Sequence, residues 1–512
     1  RPSPRQPTMT GDVRSRSSGM WLAAAAVCAA AGIMCLWGWF WPGAIPSGTT
    51  SGVWTALARD DANGILYRPL RESGYYGGTR YMPLFFVLHS LGISAGWDPV
   101  RAGIALSFAA VALFDAGLYR LLRQSGLRIW SALAWAALAH ASVSYQLVTL
   151  EFRSDVLAAA LGLWGLSFAR ADGGPGRWLA CACFTAAFAA KLSALAGPAA
   201  VLLWHLRRRE WGIAAFYAAV TGSAMLAVAW FTNAQSDGRM LTSFLACAGG
   251  GGGIGYAIRA PGWFLLTLAQ DPFLLGIVGF SAYQAWVGRA VFGWPAAFLA
   301  ASAAVALPVF ASAGTGSNHL LELLAAALLA LGDAWSRADQ AGLRWRVFLG
   351  ALAGAQVLSW MTPIPTVRSV IERAGRPERA AVERINGRLR GDPRPVLSEN
   401  PLLPILMGQR PAVLDAYSLR LLAERDPGIA AEFRRRVEGR EFAAVILLDW
   451  SGAPAADIES AIASHGSFGL GAFYGGVHFP AGFLGELKRG YSLGFVDRPY
   501  VVFLPRPADD RR

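Results

Sequence analysis

Lysine is almost missing from this chain: of its 46 basic residues only two, Lys191 and Lys488, are not arginine. Charge of any kind is scarce, 15% of residues against roughly 25% in ordinary soluble domains. By contrast, 54% of the 512 residues are hydrophobic and the mean hydropathy is +0.38. A soluble domain has nowhere to hide that much apolar surface, so the composition is that of a polytopic membrane protein. The net charge of +13 would on its own suit nucleic acid, but no basic stripe is interleaved with aromatics, which argues against that partner. Cysteine is equally sparse. Of Cys28, Cys35, Cys181, Cys183 and Cys247, four lie inside apolar runs and none forms a spaced framework, so no disulfide scaffold or zinc site is indicated.

What the chain does have is arginine on alternate turns. Arg120/Arg123/Arg128, Arg170/Arg177, Arg207/Arg208/Arg209, Arg289 and Arg337/Arg344/Arg346 mark one set of loops. Arginine-rich short loops stay in the cytoplasm. The intervening turns hold Asp60 and Asp61, the Glu151–Arg153–Asp155 cluster and Lys191, which collects these groups on the opposite face.

This sidedness gives a mainly α fold, a membrane helical bundle of about 11 spans followed by a small α/β domain. Residues 1–19 read as a disordered cytoplasmic tail and 20–361 as the transmembrane domain. Trp21–Trp41 is longer than the apolar part of a signal peptide and ends in interfacial tryptophans, so it reads as span one. A first outer loop, 42–100, carries helical segments at Thr55–Leu70 and Tyr81–Ile93, the second too short to cross a bilayer. Later spans fall near 101–121, 128–147, 153–170, 177–190, 192–206, 210–232, 272–288, 292–312, 319–334 and 345–361, with a glycine-rich outer loop containing Gly249–Gly253 before span eight. Residues 362–512 carry strand-length apolar runs at 395–398, 412–415, 443–449 and 500–505, with amphipathic helices at Ala416–Arg425 and Ala456–His465 between them. Eleven crossings from a cytoplasmic N-terminus put this domain outside the cell. The Ala/Gly/Arg-rich composition points to a bacterium, and so to its inner membrane.

Asp60 and Asp61 lie in a helix along the membrane, where one carboxylate could take a proton from a hydroxyl; a solvated helix face is the plainer account of either alone. Glu151, Arg153 and Asp155 open span four, where a helix dipole favours acids, yet three ionisable groups at a membrane boundary are costly unless they serve a polar cavity. Lys191 stands between two apolar runs in a chain that otherwise prefers arginine, and its compact ammonium suits a phosphate oxygen. Arg80 and Tyr81, where the first loop meets the interface, are placed to share that phosphate. Asn318, His319 and Glu322 mark the outer end of span ten. The G-x-G-x-x-G within the glycine run follows no strand and carries no nucleotide signal. Carboxylates near a phosphate accommodate a divalent cation without requiring one.

In this order and sidedness the chain resembles the GT-C superfamily of integral-membrane glycosyltransferases, in particular bacterial relatives of dolichyl-phosphate-mannose-protein mannosyltransferases and aminoarabinose transferases. The resemblance covers roughly 20–360 and rests on the first-loop acids, the Arg80-Tyr81-x-Pro83-Leu84 segment, Arg153-x-Asp155, Lys191, and the stretch around Asn318 and Glu322. The chain has Asp-Asp where the family often has Asp-Glu, and Met82-Pro83 where it often has two prolines. The resemblance implies an enzyme that takes a polyprenyl-phosphate sugar donor and works on the outer face without a cofactor that the sequence shows, with Asp60 as base and Asp61 its alternative. An inverting transfer to a glycan, lipid or protein acceptor is the reading it supports. A flippase for a lipid-linked sugar or a non-catalytic envelope scaffold are the alternatives. Against the flippase, no transporter-type repeat is evident and the ionisable groups cluster at the outer ends of the spans, Asp115, towards the cytoplasmic half, being the clearest exception.

Overall fold

A computed structural model of the protein describes residues 48–149, 151–171, 173–247, 254–287, 293–312, 315–337, 378–448, 478–480 and 482–507. The 1–19 tail, the first and eleventh expected spans, the glycine run and the helix expected at Ala456–His465 lie outside them. The described chain is mainly helical.

It opens with α1 (Thr49–Ala62), a short antiparallel pair β1 (Arg71–Glu72) and β2 (Tyr75–Tyr76), and α2 (Leu84–Ser94). The apolar piece too short to cross a bilayer is α2, and it packs on α1 and the loop after it through aromatic rings: Trp54 meets Phe85 at 5.1 Å and Tyr67, beyond α1, meets Phe86 at 5.6 Å, both edge-on. The helices α3 (Pro99–Gln124), α4 (Ile129–Ala137), α5 (Val143–Thr149), α6 (Ser154–Arg170), α7 (Gly174–Ala190), α8 (Ala196–Arg207) and α9 (Trp211–Gln235) follow. Then come α10 (Arg239–Cys247), α11 (Ile254–Ala269), α12 (Pro272–Val287), α13 (Trp294–Val309) and α14 (Leu321–Arg337), the last entered through a 3₁₀ turn, Ser317–Leu320.

The long helix α3 shows how the sequence sets its limits. Asp98 caps it by accepting from the amides of Val100 (3.0 Å) and Arg101 (3.1 Å), and Pro99 fills the first turn, where no amide partner is needed. Gly126, at φ +89°, lets the chain leave it. Its 26 residues rise about 39 Å. Among the described residues three helices are long and apolar enough to cross a membrane: α3, α9, and the 3₁₀ turn with α14 taken together. The pair α11 and α12, bent by 113°, would make a fourth. With 17 residues each, α6 and α7 rise about 26 Å, short of a ~30 Å hydrocarbon core without tilt or local thinning.

Two expected regions differ. The expected span over 128–147 is broken, α4 passing through a 3₁₀ turn (Leu138–Ala141) before α5. The buried carboxylate of Asp271 sits at the break, accepting from Ser142 Oγ (2.6 Å) and the Ser144 amide (2.9 Å) while also capping α12 at the Leu274 amide (3.0 Å). The stretch expected as loop before residue 272 contains α10 and α11, because Pro261 and the surrounding glycines hide a helical pattern from a reading by composition.

Beyond α15 (Glu378–Leu389) lie β3 (Val396–Ser398), α16 (Leu402–Leu406), α17 (Ala416–Arg425), α18 (Pro427–Glu438), β4 (Ala444–Leu448), α19 (Phe483–Gly490), β5 (Tyr491–Asp497) and β6 (Tyr500–Pro505). The sheet runs β3-β4-β6-β5, with β3 parallel to β4 and the remaining pairs antiparallel. The 412–415 run forms no strand of this sheet; Val413 makes a single bridge to Tyr76 of the first loop. An aromatic core of Phe433, Phe479, Phe483 and Phe503 fills the helix side.

This segment is fastened to the first loop. Arg59 donates to the Ile405 and Gln409 carbonyls (3.2 and 3.1 Å), and Arg68 to Pro411 (2.8 Å). Tyr76 exchanges backbone bonds with Ala412 and Leu414 (2.8 and 2.9 Å), and Arg379 pairs with Asp98 (2.7 Å). Gly52 of α1 is in contact with Asn400 and Leu402, where a β-carbon would collide.

Candidate active site

Three chain reversals meet at one end of the bundle: the start of α6, the end of α7 and the 3₁₀ entry to α14. Lys191 leaves α7 in an extended conformation (φ −152°, ψ 120°), which turns its side chain across to α6. Its Nζ pairs with Asp155 Oδ1 at 2.6 Å and lies 3.4 Å from the Asn318 carbonyl. The Asn318 side-chain amide donates to the same Asp155 oxygen (2.7 Å). Arg153 Nε holds the other Asp155 oxygen (3.0 Å), and its Nη1 reaches Glu151 (2.9 Å). Asp155 is therefore saturated and fixes two cations and an amide. The ion pairs are buried or partly buried, the Asp155 side chain being 6% exposed and Lys191 17%.

Three of these residues, Asp155, Lys191 and Asn318, line a cleft whose space, open mouth included, is about 370 Å³. Asp155, Lys191, Asn318 and His319 stand on its wall with Ser193 and Ser302; Glu322 joins them, and Ala158, Ala159, Ala194, Val305 and Ala306 make the apolar remainder.

Glu151 stands at a second junction. A β-carbon on Gly48, the N-cap of α1, would collide with its carboxylate, so glycine there admits the acid to the helix N-terminus, where the dipole favours negative charge. The neighbouring Phe152 amide donates to Ser51 Oγ (2.9 Å). The Tyr81 ring stacks on Trp54 (centroids 4.5 Å apart), and its backbone carbonyl accepts from the Tyr67 hydroxyl (2.8 Å). Burial, then the charge of Asp415, pushes the Tyr81 phenol up to about 12; Arg80, Arg153 and Asp155 also bear on it. The Arg80 guanidinium lies 4.9 Å over the Tyr417 ring. Tyr81 and Arg80 thus bridge the cluster to the C-terminal segment.

Asp60 and Asp61 are not brought to this cluster. Gly48 is at the Glu151 end of α1, and Asp60 is 12 positions further, about 18 Å along the axis. Asp60 is buried and gripped by both Nε and Nη2 of Arg68, with Arg410 4.0 Å away. Asp61 accepts from Ser90 Oγ, and partial burial, opposed by that bond, raises its carboxyl above the usual range. Sequence reasoning missed Asp415 and Tyr417, which reach the Arg80–Tyr81 edge from more than 300 positions away; an Asp preceding a helix reads only as a cap, and it is one, accepting from the Tyr417 amide (3.1 Å). Among the described residues no group of three or more His, Cys, Asp or Glu side chains is arranged to hold a metal ion.

The described architecture matches solved structures across nearly all of the chain. With ArnT from Cupriavidus metallidurans bound to undecaprenyl phosphate it superposes at a TM-score of 0.52, covering 94% of this chain and 97% of that one at 13% identity. With the Archaeoglobus fulgidus oligosaccharyltransferase in complex with Zn and sulfate, the TM-score is 0.52 over 95% of this chain and 74% of that one, at 12% identity. The chain has the GT-C fold. AglB from Archaeoglobus fulgidus, in complex with an inhibitory peptide and a dolichol-phosphate, shares this GT-C fold at a TM-score of 0.51, 10% identity, and 96% and 74% coverage. No family model and no curated protein sequence matches the chain.

Proposed function

We propose that the protein is a membrane glycosyltransferase that moves a sugar from a polyprenyl-phosphate donor to an acceptor on the outer face. The observation that carries this reading is the convergence of Lys191, Arg153 and Asn318 on Asp155, with Lys191, Asn318 and Asp155 on the wall of one cleft, where a fixed ammonium can meet a lipid phosphate. Solved GT-C neighbours holding undecaprenyl phosphate and dolichol-phosphate support the donor class. The acceptor hydroxyl oxygen attacks the anomeric carbon, the bond from that carbon to the phosphate oxygen breaks with inversion, and the hydroxyl proton passes to a carboxylate. We assign that carboxylate to Glu151 in place of Asp60. Glu151 shows a single ion-pair partner among the described residues, whereas Asp60 is enclosed by Arg68. Lys191, with Arg153 and Arg80, stabilises the departing phosphate, and a poorly hydrated cleft strengthens that attraction. Asp155 and Asn318 position Lys191; Tyr81, His319 and Glu322 line the sugar's path. About 11 spans, a cytoplasmic N-terminus and an extracytoplasmic α/β domain at 362–512 in a bacterial inner membrane complete the reading; a divalent cation is compatible with the carboxylates.

The test is undecaprenyl-phosphate binding by the full chain in nanodiscs. Lys191→Met should weaken it at least tenfold, and unchanged binding would overturn the assignment. A transport reading draws on Asp115, whose carboxylate meets His140 at 3.0 Å and Tyr145 at 3.5 Å within the bundle. Translocation of a fluorescent polyprenyl-phosphate sugar in liposomes, abolished by Asp115→Asn, would favour it.

A further inference from the structure

The cleft carries charge at two levels. At one, Lys191 and the Asn318 side chain both hold Asp155. At the other stands Glu322, partly buried in the first turn of α14. Its Oε1 lies 3.5 Å from the point that a β-carbon on Gly162 would occupy. Gly162 is seven positions beyond Asp155 on α6, about 10 Å along the axis. Ser302 of α13 reaches the same level, its hydroxyl donating to the Glu322 backbone carbonyl (3.4 Å). Small apolar side chains, those of Ala158, Ala159, Ala194 and Ala306, make up much of the remaining wall.

The two carboxylates differ in what holds them. Asp155 is saturated, whereas the Glu322 carboxylate has no hydrogen-bond or ion-pair partner among the described residues. Lys191 is the cation whose charge reaches it, and that ammonium is already bound to Asp155. An ionisable group left without a partner among apolar helices is costly, and such groups mark the path of a substrate. A carboxylate only accepts hydrogen bonds, so the partner it lacks is a donor. A phosphate suits the Lys191 level and is repelled at the Glu322 level; a hydroxyl suits the second without adding charge. A glycosyl phosphate has this polarity, an anion at one end and hydroxyls at the other. In a pyranose the C4 hydroxyl lies straight across the ring from the anomeric carbon that bears the phosphate.

We propose that Glu322 determines donor specificity by accepting a hydrogen bond from that C4 hydroxyl while Lys191 holds the phosphate. The donor is then a pyranose with a free hydroxyl at C4. Naming the ligand as a donor sugar rests on the transferase reading. A desolvated acceptor left empty is what rejects the deoxy analogue, and sites of this kind discriminate by factors of up to about 10⁴–10⁵.

The test is lipid binding by the full chain in phosphatidylcholine nanodiscs. The probes are undecaprenyl phosphate, undecaprenyl-phosphate glucose, undecaprenyl-phosphate mannose and the 4-deoxy forms of both sugars. Each sugar's gain is taken over bare undecaprenyl phosphate in the same variant. At least one sugar should bind the wild type about tenfold more tightly than the bare lipid, the order of one charge-assisted hydrogen bond. Its 4-deoxy form should lose that gain, and Glu322→Met should lose it as well. The deoxy lipids need no variant, so they decide the matter if Glu322→Met fails to fold. An undiminished gain with the deoxy lipid or in Glu322→Met, or no gain for either sugar, overturns the proposal. Lys191→Met should weaken every lipid alike. Unchanged binding there would remove the phosphate seat of the transferase reading, while the ratio of sugar to deoxy sugar would still judge Glu322.

Discussion

The chain carries two pairs of acids, and their surroundings differ completely. At the end of α1, Asp60 spends its lone pairs on one buried guanidinium, whose remaining nitrogen holds the Pro411 carbonyl. At the start of α6, Asp155 spends its own on Lys191, Arg153 and Asn318, but Lys191 and Asn318 stand on the wall of a cleft, and Glu151 beside them keeps a partly exposed carboxylate (24%). Adjacent acids look alike in a sequence. What separates a fastening from a reacting group is whether its partners close the site or open it.

The contrast can be broken most directly at Glu151. Glu151→Gln should lower sugar transfer by about 10²–10⁴-fold, the usual contribution of a general base, with an unchanged melting temperature. Full turnover by that variant would return the role to the first-loop acids. Lys191→Met should lower transfer by ~10²–10³-fold, the range for removing one preorganised donor to a developing anion, and kcat measured with saturating donor separates this from lost binding. Asp60→Asn should act on stability, costing about 3–5 kcal/mol through the buried Arg68 left behind, seen as a lower melting temperature in detergent. Folded Asp60→Asn protein that binds donor yet transfers nothing would put Asp60 back at the reaction.

The smallest effect belongs to Asp61. Its folded-state carboxyl is raised, so whatever stability it adds is present below the unfolded value near 3.8 and is lost as pH rises through the folded value. Asp61→Asn should therefore be neutral to slightly stabilising at pH 7, within ~0.5 kcal/mol, with that gain vanishing in acid. A thermal-melt series across pH checks the sign.

Much of this was legible in the sequence, and the misses have physical reasons. Lys191 stood out because arginine serves everywhere else, and Arg153-x-Asp155 with Asn318 shared its side of the bundle. The pairing of Asp60 was not legible because its local partner, Arg68, lies eight positions on, past the end of α1, and the backbone group that Arg68 also holds lies 343 positions from it. No periodicity reports a bond of that range. The helix α11 was hidden by Pro261, and the break after α4 depends on Asp271, 129 positions from Ser142. The meeting of Glu151 with Gly48 had no sequence signal at all, since the informative atom is an absent β-carbon.

That missing carbon bears on how the molecule is assembled. The 14-residue α1 is a stiff rod about 21 Å long. One tip touches Glu151, the first turn rests against Asn400, and the far end is pinned through Arg59 to the Ile405 and Gln409 carbonyls at the end of α16 and just beyond it. The C-terminal segment and the acid we assign as base therefore both bear on one helix. Severing the Arg59 anchors should disturb the seating of the C-terminal segment and the placement of Glu151 together.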